Sequence, residues 1–413
     1  MTYYIILALC IIIILSYTFD ITSKYSRIPG VIFLILLGIG LQLIGRSTGL
    51  IIPNIQPVLP VVGTLGLIMI VMEAALDIEI RKKKRKLIFN SVLSALVLTS
   101  LFVFVFSFIF TRYFDFSLRN SIINALPISI ISSSVAIPAA AHLSKGDKEF
   151  IVYESAFSDI LGIMAFNFIL LNQGSFGSGL ISFFFDGIIT VIIAVISTAA
   201  LAILLHKTTY HVNYVIILTA IILFYSLAGI FNLPALLLIL IFGLVLANNS
   251  LFENSIIRKY VDFVKFRNDI NSFKKISGEL TFLVKSFFFI IFGYYARIDG
   301  LFEFTNLLTS LIITSGIFIL RGLFFKIVLK YPAIPLVFFA PRGLITILLF
   351  LSIPFDLRLP LMSEEVITLI IFFSIFFVMA GNMLNRREKK PLKDGGATQE
   401  EGPVIVRSEG QDI

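Results

Sequence analysis

The chain has 413 residues, of which 58% are hydrophobic and only 14% charged, with a mean hydropathy of +1.00. A soluble domain carries about 25% charged residues, so this composition excludes a water-soluble fold and points to an all-α polytopic membrane protein. Formal net charge is +8, but the basic residues gather in a few short stretches, which reads as membrane topology and not as nucleic-acid binding. The single cysteine, Cys10, lies in an apolar run, so no disulfide framework can form within the chain.

Apolar runs of spanning length, about 17–25 residues each, predict thirteen transmembrane helices. They cover residues 3–19, 29–46, 59–77, 87–110, 121–142, 151–171, 181–205, 213–230, 232–248, 279–296, 304–325, 332–353 and 364–384. The first run follows Met-Thr-Tyr-Tyr, with no Lys or Arg before it and no small-residue cleavage site after it, and is read as a retained helix. Asn232-Leu233-Pro234 is the narrow break between the eighth and ninth runs.

An odd number of spans puts the termini on opposite sides. With the N-terminus outside, one set of loops holds Lys24 and Arg27, the run Arg81 to Lys86, Lys145 and Lys148, Lys207, the stretch Arg258 to Lys275, Lys330 and Arg386-Arg387. The opposite set holds Arg46, Arg112, Arg119, Arg297 and Arg358. The positive-inside rule then predicts an outside N-terminus and a cytoplasmic C-terminus, in a cell membrane. Residues 1–384 form the transmembrane domain. Within it, residues 249–278 read as a cytoplasmic linker with amphipathic character, carrying Ile257, Tyr260, Val261, Val264 and Phe266 among basic residues. Residues 385–413 turn polar and read as a disordered cytoplasmic tail, too short for a nucleotide-binding domain.

Thirteen runs suit two inverted six-helix units, runs 1–6 and 8–13, joined by run 7. The fifth run then pairs with the twelfth, and both carry helix-disrupting residues at mid-depth. The fifth reads Ser132-Ser133-Ser134-Val135-Ala136-Ile137-Pro138 and the twelfth Ala340-Pro341-Arg342-Gly343. Interrupted, crossed spans at corresponding places in two repeats point to an ion site.

The sixth run opens on Tyr153-Glu154-Ser155-Ala156-Phe157-Ser158-Asp159. A charge at bilayer depth costs roughly 2.5–3.5 kcal/mol on insertion scales, so two carboxylates here mark a functional path. On a helix, Ser155 and Asp159 share a face, and Glu154 and Ser158 share another. Glu154 and Asp159 fall about 140° apart around the axis and roughly 7.5 Å apart along it, too far to act as a close dyad. A division of labour follows, with Asp159 binding the transported species and Glu154 held by a basic residue. Oxygen ligands suit a hard cation, and the set is the Asp159 carboxylate, the hydroxyls of Ser155 and Ser158, and the groups freed where the Ser133-Ser134 segment unwinds. A proton and a monovalent cation would compete for the one carboxylate. His142, His206 and His211 sit near run ends, and no His/Cys cluster has metal spacing, so no cofactor is expected. Gly-x-Ser-x-Gly and His-Glu-x-x-His are absent, which argues against an intramembrane hydrolase.

Three basic residues lie in or near spans: Lys285, Arg321 and Arg342. Arg342 follows a proline inside the twelfth run, where freed carbonyl ends need a positive charge. Glu73 is a further embedded acid, one turn before Asp77.

These motifs together resemble the monovalent cation:proton antiporter superfamily. Glu154-Ser155-Ala156-Phe157-Ser158-Asp159 resembles the Glu-Ser-x-x-Asn-Asp signature of the Na+/H+ exchanger (NhaP-like) branch, and Pro341-Arg342-Gly343 matches its Pro-Arg-Gly. Ile319-Leu320-Arg321-Gly322 resembles its arginine-bearing helix, while Ser132-Ser133-Ser134-Val135-Ala136 is closer to the Kef-type K+/H+ branch. Pro29-Gly30, Ala75-Leu76-Asp77-Ile78-Glu79 and Phe288 to Gly293 follow in family order, over about residues 25–380. The resemblance implies exchange of Na+, with Li+ or K+ as alternatives, for H+ by a homodimer with a mobile core. It implies that Asp159 carries the cation and the proton beside Ser155 and Ser158, that Glu154 pairs with Arg321, and that Arg342 compensates the broken helices. Lys285 and Glu73 are further candidates. Ser158 stands where the exchangers have Asn, and the fifth run lacks their Thr-Asp-Pro, so the choice of cation stays open, as do a Kef-like K+ system and a non-transporting homologue.

Overall fold

Hydrocarbon offers the peptide backbone no hydrogen-bond partners, so each spanning segment must close its own. In the computed structural model the described residues do so with helices, save where two spans are broken. The described residues are 2–26, 28–48, 58–78, 84–171, 176–207, 213–231, 233–248, 263–330 and 334–384. Among them run α1 (Thr2–Ser26), α2 (Gly30–Thr48), α3 (Val58–Asp77), α4 (Arg85–Phe114), α5 (Leu118–Ser129), α6 (Ser133–Ala139) and α7 (Lys145–Leu171). They continue with α8 (Phe176–Lys207), α9 (Asn213–Ile230), α10 (Ala235–Ala247), α11 (Phe263–Tyr295), α12 (Phe304–Phe324), α13 (Leu344–Ser352) and α14 (Glu364–Leu384). Among the described residues, eight segments, with α5 and α6 taken as one, are long and apolar enough to cross a bilayer.

The thirteen apolar runs each find their helix, and the two interrupted runs are the irregular ones. The fifth run divides into α5 and α6 around extended residues 130–132. The twelfth starts as a short turn at Leu336–Phe338, continues non-helically to Gly343 and only then enters α13. The narrow break between the eighth and ninth runs is real. The Leu233 N–H turns back to the Ala228 carbonyl at 2.9 Å, closing the end of α9, and Pro234 starts α10.

Residues 249–262 of the expected linker lie outside the described residues, as do the basic run 81–83 and the tail from 385. From Phe263 onward the chain is already in α11, so residues 263–278 are continuous with the tenth span. At about 1.5 Å per residue, 33 residues exceed the roughly 30 Å hydrocarbon layer, and one end of α11 must project beyond it.

The helices sort into two packed groups. α11 packs along α2 and α3, while α10 packs on α3, α8 and α9. The other group is α4 with α5 and α7, α6 with α7, and α12 with α14. In this second group α4 packs on α7 as α12 packs on α14, and a broken span accompanies each pair. That correspondence is what two repeats of one unit produce.

Between α2 and α11 the backbones touch. A Cβ on Gly38 would sit 2.2 Å from the Ile290 carbonyl oxygen, and one on Gly293 would sit 2.3 Å from that of Ile35. Small residues permit such close helix crossings in membranes, where packing contacts carry the association. Replacing Gly38 with leucine should therefore separate α2 from α11. The expected result is a loss of about 1–3 kcal/mol or more from overpacking, read as a lower unfolding temperature in detergent, while leucine at Gly40, which has open space around it, leaves that temperature unchanged.

Candidate functional site

The two broken spans cross, and the crossing is held by main-chain chemistry. At the end of α5, β-branched Ile130 and Ile131 run extended and Ser132 caps α6. The Ser132 N–H, released from helical pairing, donates to the Pro341 carbonyl of the other break at 2.9 Å. Pro341 has no N–H, so helix cannot continue through it. Gly343 lets the two broken segments pass, since a Cβ there would meet Ser132 Oγ and Val135 Cγ2 at 2.8 Å each. Gly162 does the same for α7, because a Cβ on it would lie 2.2 Å from the Ile130 side chain. Thus α7 is pressed against the first break within one turn of Asp159.

Broken helices leave negative carbonyl ends and positive amide ends facing one another at mid-depth. The carbonyl ends meet Arg342. Its Nε donates to the Ile128 carbonyl at 2.6 Å and its Nη1 to the Ala340 carbonyl at 2.8 Å, one from each broken span. Its own N–H is received by Ser374 Oγ of α14 at 2.9 Å, and its guanidinium lies over the Phe102 ring at 5.6 Å. The amide ends meet Asp159. Its Oδ2 accepts from the Ser133 N–H at 3.2 Å, at the first turn of α6.

Asp159 is buried, and its Oδ1 has no hydrogen-bond partner among the described residues; nor has Ser133 Oγ. Ser158 is held in place by the Ile131 N–H, which donates to its Oγ at 3.0 Å, and by Thr99 Oγ1 of α4 at 3.3 Å. Ser134 shares a hydrogen bond with Ser132, Oγ to Oγ at 2.9 Å. Ser155 lies on the Asp159 face, but its hydroxyl donates to the Ile151 carbonyl of its own helix at 2.7 Å.

Glu154 is in a different state. Arg321 grips it with two parallel bonds, Nη1 to Oε1 at 2.8 Å and Nη2 to Oε2 at 2.6 Å, and Ser94 Oγ of α4 also donates to Oε1. Arg321 Nε reaches the Leu336 carbonyl at 3.1 Å, and the guanidinium sits 4.9 Å above the Phe325 ring. Both charged side chains are essentially without solvent exposure. One carboxylate is saturated with fixed donors, while the other, five residues on, keeps an oxygen unspent.

Glu73 and Lys285 lie outside this cluster. Glu73 of α3 lies within electrostatic reach of Lys285 of α11, and Thr281 of α11 hydrogen-bonds to Glu73. Lys285 also borders a cavity of about 20 Å³ lined by Ser16 and Asp20 of α1 and by Ser134 and Pro138 of α6. Asp77 closes α3 with a 2.6 Å ion pair to Lys274. Ser94, Thr99 and Ser374 were not singled out in the sequence. Their signal was available, since hydroxyls buried in apolar spans need partners, and Ser94 and Thr99 repeat along α4 with nearly the spacing of Glu154 and Ser158 along α7.

No curated protein matches the chain. Among solved structures, one of the sodium proton antiporter MjNhaP1 from Methanocaldococcus jannaschii at pH 8 is similar with a TM-score of 0.68 and 19% identity, over 92% of this chain and 98% of that one. A second structure of the same antiporter, from electron microscopy, gives a TM-score of 0.68 and 18% identity, over 95% and 100% of the two chains. At such identity the likeness shows a common fold. A family model described as "Sodium/hydrogen exchanger, transmembrane" matches residues 7–386, nearly the whole chain. The chain therefore belongs to the sodium/hydrogen exchanger family, a family of membrane transporters within the monovalent cation:proton antiporter superfamily.

Proposed function

We propose that this cation/proton antiporter exchanges one Na+ for one H+ at Asp159 by alternating access. The observation that supports this reading is the contrast between the two carboxylates of α7. Glu154 is neutralised by Arg321, whereas Asp159 is enclosed with no cationic partner among the described residues, where its Oδ2 accepts from the Ser133 N–H and its Oδ1 has no hydrogen bond. A carboxylate kept from water needs a cation or a proton to offset its charge. Only one of them can hold the oxygens at a time, and that competition couples the two fluxes. Ser133 and Ser158 would complete the oxygen set, with Ser134 at the edge of the break and Ser155 supporting α7 through its own backbone bond. Glu154 with Arg321, and Arg342, would hold the crossing in shape. Lys285 would act at the contact between the two helix groups, with Glu73 offsetting its charge within the first.

The serine-rich break supports K+ as the alternative cargo, with Li+ as a close analogue of Na+. The proposed setting is a cell membrane, crossed thirteen times, with the N-terminus outside and the C-terminus cytoplasmic. The working unit would be a homodimer, with residues 1–384 as the transporting domain and the residues after 384 as a cytoplasmic tail.

The experiment is proton flux into proteoliposomes driven by Na+, Li+ or K+ gradients. Exchange through one carboxylate moves no net charge, so the expected Na+-driven rate is the same at imposed potentials of either sign. A rate that tracks the potential would contradict one-for-one exchange, and the cation giving the greatest flux decides among the three cargoes.

A further inference from the structure

We infer that the groove between α4, α5 and α7 is a binding site for one anionic glycerophospholipid. The groove has a volume of about 380 Å³ and lies on the helix group that carries Asp159. Leu96 and Val103 of α4, Ile122 and Leu126 of α5, and Met164 and Phe168 of α7 form its walls. In a bilayer such a surface does not stay empty, and an acyl chain has the shape and polarity to fill it.

The charge at one end selects which lipid enters. Arg119, in the first turn of α5, lies one turn before Ile122, a residue of the groove wall. Its Nη2 donates at 3.2 Å to the carbonyl of Leu170, the neighbour of Ile169 on the opposite wall. That contact closes the carbonyl end of α7 and fixes the guanidinium beside residues that flank the groove on both walls. The Arg119 Nε is shielded from solvent and has no hydrogen-bond partner among the described residues. The Arg119 side chain as a whole is only half-buried. A phosphate oxygen bonded to the outer face of the guanidinium supplies an acceptor and the countercharge, and arginine suits phosphate well. A neutral apolar occupant would leave the guanidinium unmatched. A zwitterionic headgroup would bring a second cation to the same place.

The other end of the groove lies at the transport site. Thr99 lines it, and the Thr99 hydroxyl contacts Ser158 beside Asp159. A bound chain would therefore lie against the residues that hold Ser158, while its headgroup stays at the membrane surface. The inference does not depend on which cation is exchanged or on whether exchange is electroneutral.

The test is native mass spectrometry of the delipidated full chain with phosphatidylglycerol or phosphatidylcholine of identical acyl chains. One phosphatidylglycerol per chain should survive collisional activation that removes phosphatidylcholine. Its occupancy should fall at least about fivefold, about 1 kcal/mol, in Arg119→Gln, which removes the charge, and in Ala165→Phe, which fills the groove. Thermal unfolding shows that both variants are folded, and Ser100→Leu, which fills the groove from α4, replaces Ala165→Phe if that variant is not. Equal retention of the two lipids overturns the inference. Loss in Arg119→Gln alone overturns it as well, because the headgroup would then bind without the groove, and loss in the groove-filling variant alone shows a chain or detergent site that reads no phosphate.

Discussion

Replacing Asp159 with asparagine abolishes cation-driven proton flux, down to the background of empty vesicles, while the protein remains folded. Asparagine has nearly the shape of aspartate, and its carbonyl oxygen can still accept the Ser133 N–H that now bonds Oδ2. It cannot be protonated and carries no charge to attract a cation, so both halves of the exchange fail together. Stability should hold or rise, because a buried carboxylate that lacks a fixed cationic partner opposes folding. Unfolding in detergent reads this directly. Flux retained in Asp159→Asn would move the carrier elsewhere, with Glu73 as the next acid to examine.

Breaking the Glu154–Arg321 pair has the opposite signature, with a large loss of stability. In Arg321→Ala the Glu154 carboxylate keeps, among the described residues, only the Ser94 hydroxyl, and the Leu336 carbonyl loses its donor. Removing one partner of a buried pair costs about 3–5 kcal/mol, because the other charge is stranded. Replacing both by apolar residues of similar volume avoids the stranded charge, so Glu154→Leu with Arg321→Met should regain most of that loss. The measurement is a double-mutant cycle on unfolding temperature or denaturant midpoint. If Arg321→Ala unfolds within about 1 kcal/mol of wild type, the pair is an onlooker and Glu154 is free to carry ions.

These two outcomes separate a holding carboxylate from a carrying one, and the separation was partly legible in the sequence. Glu154 and Asp159 are five apart, and helical geometry alone places them on different faces. The interrupted spans were also legible, because Pro341 and the Ser132 to Ser134 run disrupt helix by local chemistry that needs no tertiary context. The long apolar runs were the clearest signal, since lipid leaves the backbone no alternative to helix.

What was not legible depends on packing. The spacing of Ser155 put its hydroxyl on the Asp159 face, but a serine in a helix finds the carbonyl four residues back first, and it bonds Ile151. Thr99 and Ser94 act through the register of α4 against α7, which no local pattern encodes. The stretch 263–278 carries the mixed basic and apolar pattern of an interfacial helix. A spanning helix that projects from the bilayer shows the same pattern, and α11 continues through it. The close crossing at Gly38 and Gly293 likewise looks in sequence like any two glycines in apolar runs, until the backbones are seen to meet.

Antiport by this route requires that one carboxylate, Asp159, hold either a proton or a cation. Proton release on adding Na+ to the purified protein, in weakly buffered detergent solution near neutral pH, measures that competition without any membrane or gradient. About one proton should be released for each Na+ bound, with neither binding nor release in Asp159→Asn. Saturable Na+ binding with no proton released from the wild-type protein would contradict it.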